Sequence, residues 1–166
     1  MIALLLGLFV ALSSDQSPPL PTSVLLIPLD AKDDEATQGF KTAFPLTTRE
    51  AGVLFDLNGD GRLEQFAWTT PDTATAFLAI DRNGNGTIDS GQELFGDATL
   101  PNVGNGFAAL RLMGQHNNVG GINAEDELYA KLLLWTDRNH NGYSEAGELQ
   151  AFGLVRGHRS GVSLCA

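Results

Sequence analysis

The sequence predicts an α+β fold: a single domain of short β-hairpins with loops at their tips, plus a pair of short helices around a further loop. Three observations predict it. The string D-x-N-x-[DN]-G occurs at Asp56, Asp81 and Asp137. The first two copies directly follow short apolar runs of strand length, residues 51–55 and 76–80. The third follows apolar residues at helical spacing, Leu128, Leu132 and Trp135.

Composition narrows the function. The 166 residues suit one domain with a sizeable core, and 43% hydrophobic content is that of a globular chain. The formal net charge is −10, which argues against a nucleic-acid partner, because neutralising phosphates needs clustered Lys and Arg. Half of the 20 acidic residues fall in three groups beside Gly and Asn: Asp56, Asp60 and Glu64; Asp81, Asp89, Glu93 and Asp97; Asp137, Glu145 and Glu148. Like charges that close repel unless a cation neutralises them. The single cysteine, Cys165, rules out a disulfide within the chain and a cysteine-based zinc site. His116, His140 and His158 show no metal-ligand spacing.

In chain order, residues 2–12 are apolar except for Gly7, too short a run to span a bilayer but suited to the core of an export signal. Ala11-Leu12-Ser13 offers small residues for cleavage, while the basic residues that usually precede such a core are missing. A misplaced start or a buried first strand is the alternative. On the favoured reading, residues 1–14 are a signal peptide, the mature protein is secreted or periplasmic, and there is no stable membrane insertion. Residues 15–22, with Pro18, Pro19 and Pro21, read as a linker, and the domain runs over 23–153. Residues 23–29 form an apolar strand, and 30–39 an acidic loop from which Asp30, Asp33 or Asp34 could lend oxygens.

The strand at 51–55 runs into Asp56, Asn58 and Asp60 at loop positions 1, 3 and 5, with Gly61 at 6, Arg62 at 7 and Glu64 at 9. Position 12 is Ala67, so Glu64 is expected to close the ligand set. Phe66 and Trp68 alternate beyond it, so this loop caps a β-hairpin; an ordinary Gly/Asn turn would use the same dipeptides. After a turn at Pro71, the strand at 76–80 delivers Asp81, Asn83, Asn85, Gly86, Thr87 and Asp89 in the same positions. Here the acid falls one place late, at Glu93, so that either the loop is a residue longer or Glu93 and Asp97 close it differently. Asn105 caps a helix through Phe107, Leu110 and Met113. Residues 115–126 read as a decayed loop, a silent partner for the next one, with Asn123 and Asp126 starting a helix.

The last loop is the most complete. Asp137, Asn139, Asn141, Glu145 and Glu148 occupy positions 1, 3, 5, 9 and 12, with Gly142 at 6 and the Tyr143 carbonyl at 7. This matches the EF-hand pattern, in which six to eight hard oxygens surround calcium (Ca2+) and a bidentate Glu closes the set. A helix before it and an exit helix over 145–152 would make it helix–loop–helix. Residues 154–166 turn basic and lose periodicity, as a disordered tail would.

The ordered run Phe55-Asp56 to Gly61, Trp68, Leu78 to Asp89, Glu93-Leu94-Phe95-Gly96-Asp97, Asn105 to Leu110, Leu134-Trp135-Thr136-Asp137 and Glu148-Leu149 resembles a bacterial EF-hand-type domain of secreted RTX-type proteins. It is similar to the calcium-dependent self-processing module of iron-regulated RTX proteins, over residues 53–152. The resemblance implies calcium-induced folding and, in processing members, cleavage of an Asp-Pro bond just upstream. This chain has no Asp-Pro dipeptide and no glycine-rich nonapeptide repeats. The expectation is therefore a non-enzymatic calcium-binding protein. A degenerate self-processing module is the alternative, and any protein partner is unidentified.

Overall fold

The computed structural model of the chain describes residues 8–11, 23–29, 44–71, 73–114, 121–122, 124–155 and 164–165. The expected linker, the acidic stretch 30–39 and positions 115–120 and 123 of the decayed loop lie outside the described residues, as do 156–163 of the expected tail. The signal-peptide segment is described only over Leu8–Ala11.

Five antiparallel strands form the main sheet in the order β1-β2-β5-β7-β8. They are β1 (Leu8–Ala11), β2 (Ser23–Pro28), β5 (Thr75–Ala79), β7 (Leu133–Trp135) and β8 (Leu149–Ala151). A hairpin of β3 (Val53–Phe55) and β4 (Glu64–Phe66) carries the Asp56 loop at its tip, with Phe55 opposite Glu64. The helices are α1 (Gly106–Met113), α2 (Glu127–Lys131) and α3 (Phe152–Val155), which makes the fold α+β. β6 (Gly121–Ile122) pairs with β9 (Leu164–Cys165).

The sheet is buried on both faces, and side-chain alternation divides its residues between two cores. Leu25, Ile27, Ala76, Leu78 and Leu134 face the helices, where Ala109, Leu110, Leu128, Leu132 and Phe152 cover them. Val24, Leu26, Phe77, Ala79 and Trp135 face the hairpin and pack on Val53, Phe55, Phe66 and Trp68. Each large side chain so buried contributes about 1.5–3 kcal/mol. At the start of α1, the Asn105 side chain accepts the Ala108 N–H, the expected cap.

Two expectations are corrected. Trp135 does not continue the helical face of Leu128 and Leu132, because the helix ends at Lys131 and the chain is extended from Leu132 onward. The reason is the double burial: Leu132 and Leu134 enter one core, Leu133 and Trp135 the other, and only a period of two satisfies both. Likewise residues 145–151 are not a helix, and α3 starts only at Phe152. They form a turn and then β8, which pairs Trp135 with Leu149 and Leu133 with Ala151. The Asp137 loop is thus flanked by strands, not by the helices of an EF-hand.

Candidate functional site: three acidic loops in contact

The three loops share one backbone. Glycines at position 6 adopt left-handed φ values, +84° at Gly61, +83° at Gly86 and +74° at Gly142, where a Cβ would be strained. Position 4 is left-handed too, at Gly59, Gly84 and His140. The first aspartate sets this turn by accepting backbone N–H groups. Asp56 takes those of Asp60 and Gly61, at 3.0 and 2.9 Å. Asp81 takes those of Gly84, Asn85 and Gly86, at 2.7, 3.2 and 2.8 Å. Asp137 takes those of Asn141 and Gly142, at 3.1 and 2.9 Å. Position 5 repeats the device: Asp60, Asn85 and Asn141 each accept the N–H two residues on, from Arg62, Thr87 and Tyr143.

The side chains at positions 3, 5 and 9 converge in the last and middle loops. In the last loop Asn139 and Asn141 donate their amides to Glu145 at 2.6 and 3.2 Å. In the middle loop Asn83 and Asn85 donate to Asp89 at 3.4 and 2.8 Å. In the first loop Asn58 reaches Asp60, at 3.2 Å. Among the described residues no three His, Cys, Asp or Glu side chains form a cluster; the gathered groups are carboxylates mixed with Asn amides.

Closure distinguishes the loops. Glu148 accepts the N–H groups of Arg138 (2.8 Å), Asn139 (3.4 Å) and Glu145 (3.4 Å), at positions 2, 3 and 9. Glu93 accepts those of Arg82 (3.0 Å), Asn83 (3.4 Å) and Asp89 (3.0 Å), the same three positions. The late acid of the middle loop therefore takes the place of Glu148. The extra residue is absorbed by a turn in which Glu93 N–H donates to Ser90; the corresponding turn joins Glu148 to Glu145. Arg82 and Arg138 brace the closing residue by donating to the carbonyl just before it, Gln92 or Gly147. Asp97 belongs instead to the start of β2, where it accepts the Ser23 N–H at 3.1 Å. Burial pushes its carboxyl up from the ordinary range, and N–H groups of Ser23, Asp97 and Ala98 pull it back in part. Glu64 lies at the start of β4 and makes no side-chain bond into the Asp56 loop among the described residues.

The loops also touch one another. The Ser144 hydroxyl accepts the Ile88 N–H and donates to the Ile88 carbonyl, so the middle loop contacts the last. Gly91 N–H donates to the Asp56 carbonyl, and the Gln92 amide to the Gly59 carbonyl. His140, at position 4, has its two ring nitrogens 2.9 Å from the carbonyls of Thr69 and Ala51. The available sequence signal was a side chain where both other loops have glycine.

The electrostatics point one way. Asp137, Glu148 and Glu93 are only 1%, 5% and 3% exposed. Among the described residues no Lys, Arg or His side chain pairs with them. Neutral donors satisfy their oxygens but leave the charge, and a buried carboxylate without a counter-charge is costly. An oxygen-only donor set, closing carboxylates and uncompensated buried charge fit a hard divalent cation. Among the described residues no helix is long and apolar enough to cross a membrane.

The chain is 41% identical over 105 residues to the iron-regulated protein FrpA of Neisseria meningitidis serogroup C, a match covering 60% of this chain and 9% of that protein. The family model described as the SPM domain matches residues 36–155. With most of its length inside that match, the chain belongs to the SPM domain family.

Proposed function

We propose that this protein is a calcium-binding module whose fold is stabilised by the ions it holds. One observation carries the reading: three buried carboxylates, Asp137, Glu148 and Glu93, form no ion pair with a Lys, Arg or His side chain among the described residues. Asp137, Asn139, Asn141, the Tyr143 carbonyl, Glu145 and Glu148 would hold one ion. Asp81, Asn83, Asn85, the Thr87 carbonyl, Asp89 and Glu93 would hold a second. Asp56, Asn58, Asp60, the Arg62 carbonyl and Glu64 form a weaker third set, because its closing carboxylate is missing. Calcium here supplies charge and rigidity, not catalysis. With Asn in place of Asp at several positions, the affinity belongs near the extracellular range, about 10⁻⁴–10⁻³ M. A secreted or periplasmic location suits that range.

Titration calorimetry, with circular dichroism before and after chelation, tests the reading. Two ions with loss of structure on chelation are expected. A chain that keeps its melting point after its ions are stripped, and takes none back, overturns it.

A second reading, calcium-triggered self-cleavage, draws on the family membership and the likeness to FrpA. A new fragment on a denaturing gel after calcium addition would favour it; the absence of an Asp-Pro dipeptide in the chain weighs against it.

A further inference from the structure

The two tryptophans of the chain are fully buried, and each places its indole N–H on a carboxylate of the same loop. Trp68 Nε1 donates to Asp137 Oδ2 at 2.8 Å, across 69 residues of sequence. Trp135 Nε1 donates to Glu148 Oε2 at 3.4 Å. We infer that Trp68 and Trp135 are positioning residues for the Asp137 loop. They fix its first and last carboxylates to the aromatic core, so that occupancy of this loop, and not of the Asp81 loop, is coupled to the packing of the domain. The inference rests on the calcium reading of the loops.

The contrast with the Asp81 loop carries it. There the first and closing carboxylates take the equivalent backbone N–H groups, but among the described residues no side-chain donor reaches Asp81 or Glu93 from outside the loop. Residues 82–87 are exposed, whereas Asp137 and Gly142 are buried. The indoles are themselves immobilised. Trp68 lies 4.5 Å from Phe77 and 5.3 Å from Phe55 between ring centroids, and Trp135 meets Trp68 edge-on at 5.6 Å. Asp137 Oδ2 receives both Trp68 and Gly142, while Oδ1 has one backbone bond, at 3.1 Å, and so keeps accepting capacity. A carboxylate already held in one rotamer loses less entropy when it ligates an ion. Partners that orient a ligand in this way are typically worth ~10–100-fold in metal affinity.

The test is a calcium titration of the full chain followed by calorimetry and by the two indole ¹H–¹⁵N resonances. Trp68→Phe keeps an aromatic ring and removes the donor. It is expected to weaken one site about tenfold and leave the other unchanged. Trp135→Phe, which removes a longer bond, is expected to weaken the same site less. In the unsubstituted protein the Trp68 indole should shift with the midpoint of the site that Glu148→Gln abolishes, and Glu93→Gln should leave that midpoint in place. This readout stands even if Trp68→Phe does not fold. Unchanged site constants in Trp68→Phe, or an indole resonance that follows the Glu93 site, overturn the inference while leaving calcium binding intact. A wild-type chain that binds no calcium overturns both.

Discussion

The Asp56 and Asp81 loops begin alike and end differently. Both use Asp, Asn and a second oxygen residue at positions 1, 3 and 5, and both turn through left-handed glycines at positions 4 and 6. Only the second recruits a closing carboxylate, Glu93, to the N–H groups of positions 2, 3 and 9. The turn is therefore a property of six residues, held by Asx-type bonds inside the string. Bringing in a closing carboxylate depends on the chain beyond those six. After Asp89 the chain makes a second turn that returns an acid to the loop, whereas after Arg62 it enters a strand.

Four experiments bear on that contrast. The largest effect is expected from adding calcium, on the proposed function. At an ion concentration of a hundred times Kd each occupied site adds about 2.7 kcal/mol. For a chain of this size that corresponds to roughly 5–10 °C in Tm per site. Glu148→Ala or Glu93→Ala should each remove one ion from the calorimetric stoichiometry, and Glu64→Ala none. A lost ion in Glu64→Ala would make the first loop equal to the others.

Next comes the glycine at position 6. A Cβ on Gly142 would lie 2.8 Å from the Leu54 carbonyl oxygen and 3.2 Å from the Val53 side chain, while one on Gly61 would meet nothing within 4 Å. Both substitutions carry the left-handed strain of ~1–2 kcal/mol, and Gly142→Ala adds an overpacking cost of ~1–3 kcal/mol. Urea melts of the two variants should differ by that second amount; equal losses would mean that the last loop is no more tightly seated than the first.

His140 stands where Gly59 and Gly84 stand in the other loops. His140→Ala removes the ring that faces the Thr69 and Ala51 carbonyls, to one of which a neutral imidazole can donate, and should cost about 1–3 kcal/mol through the donor lost there. His140→Gly relieves the positive φ of 59° but not that loss, so it should remain less stable than wild type in the same melts.

The smallest effect is at Asp97, outside the loops. Its folded-state pKa is raised by burial, so the folded state holds the proton more tightly than the unfolded chain does. Its contribution to stability is therefore greatest at low pH and declines as pH rises through the folded pKa. Asp97→Asn keeps an acceptor for the Ser23 N–H and removes the charge. It should flatten that decline in a stability–pH series, and an unchanged slope would refute the assignment.

Much of this was legible in the residues. The three loop starts, their glycines, the strand β2, the β3–β4 hairpin and the Asn105 cap follow from short-range chemistry, and the structure has them. The errors lie where one residue answers to two neighbours. Leu128, Leu132 and Trp135 fit a helical period, yet Leu133 and Leu134 between them are also apolar, and two cores resolve the ambiguity in favour of a strand. Glu93 could not be placed by counting, because the extra residue belongs to a turn whose Gly91 and Gln92 contact the Asp56 loop. Trp68 and Asp137 are 69 residues apart, and no local pattern announces their bond. Ser144, at position 8 of the last loop, meets Ile88 across 56 residues, and no local pattern announces that contact either.

That last contact bears on how the chain tolerates changes of length. Exposed strings such as residues 82–87 ordinarily absorb insertions and deletions. Here Ile88 is the one buried residue between Arg82 and Asp89, and the Ser144 hydroxyl engages both its N–H and its carbonyl. One residue added or removed ahead of it would carry Ile88 out of reach and detach the middle loop from the last, so this solvent-facing segment should be as fixed in length as a core strand.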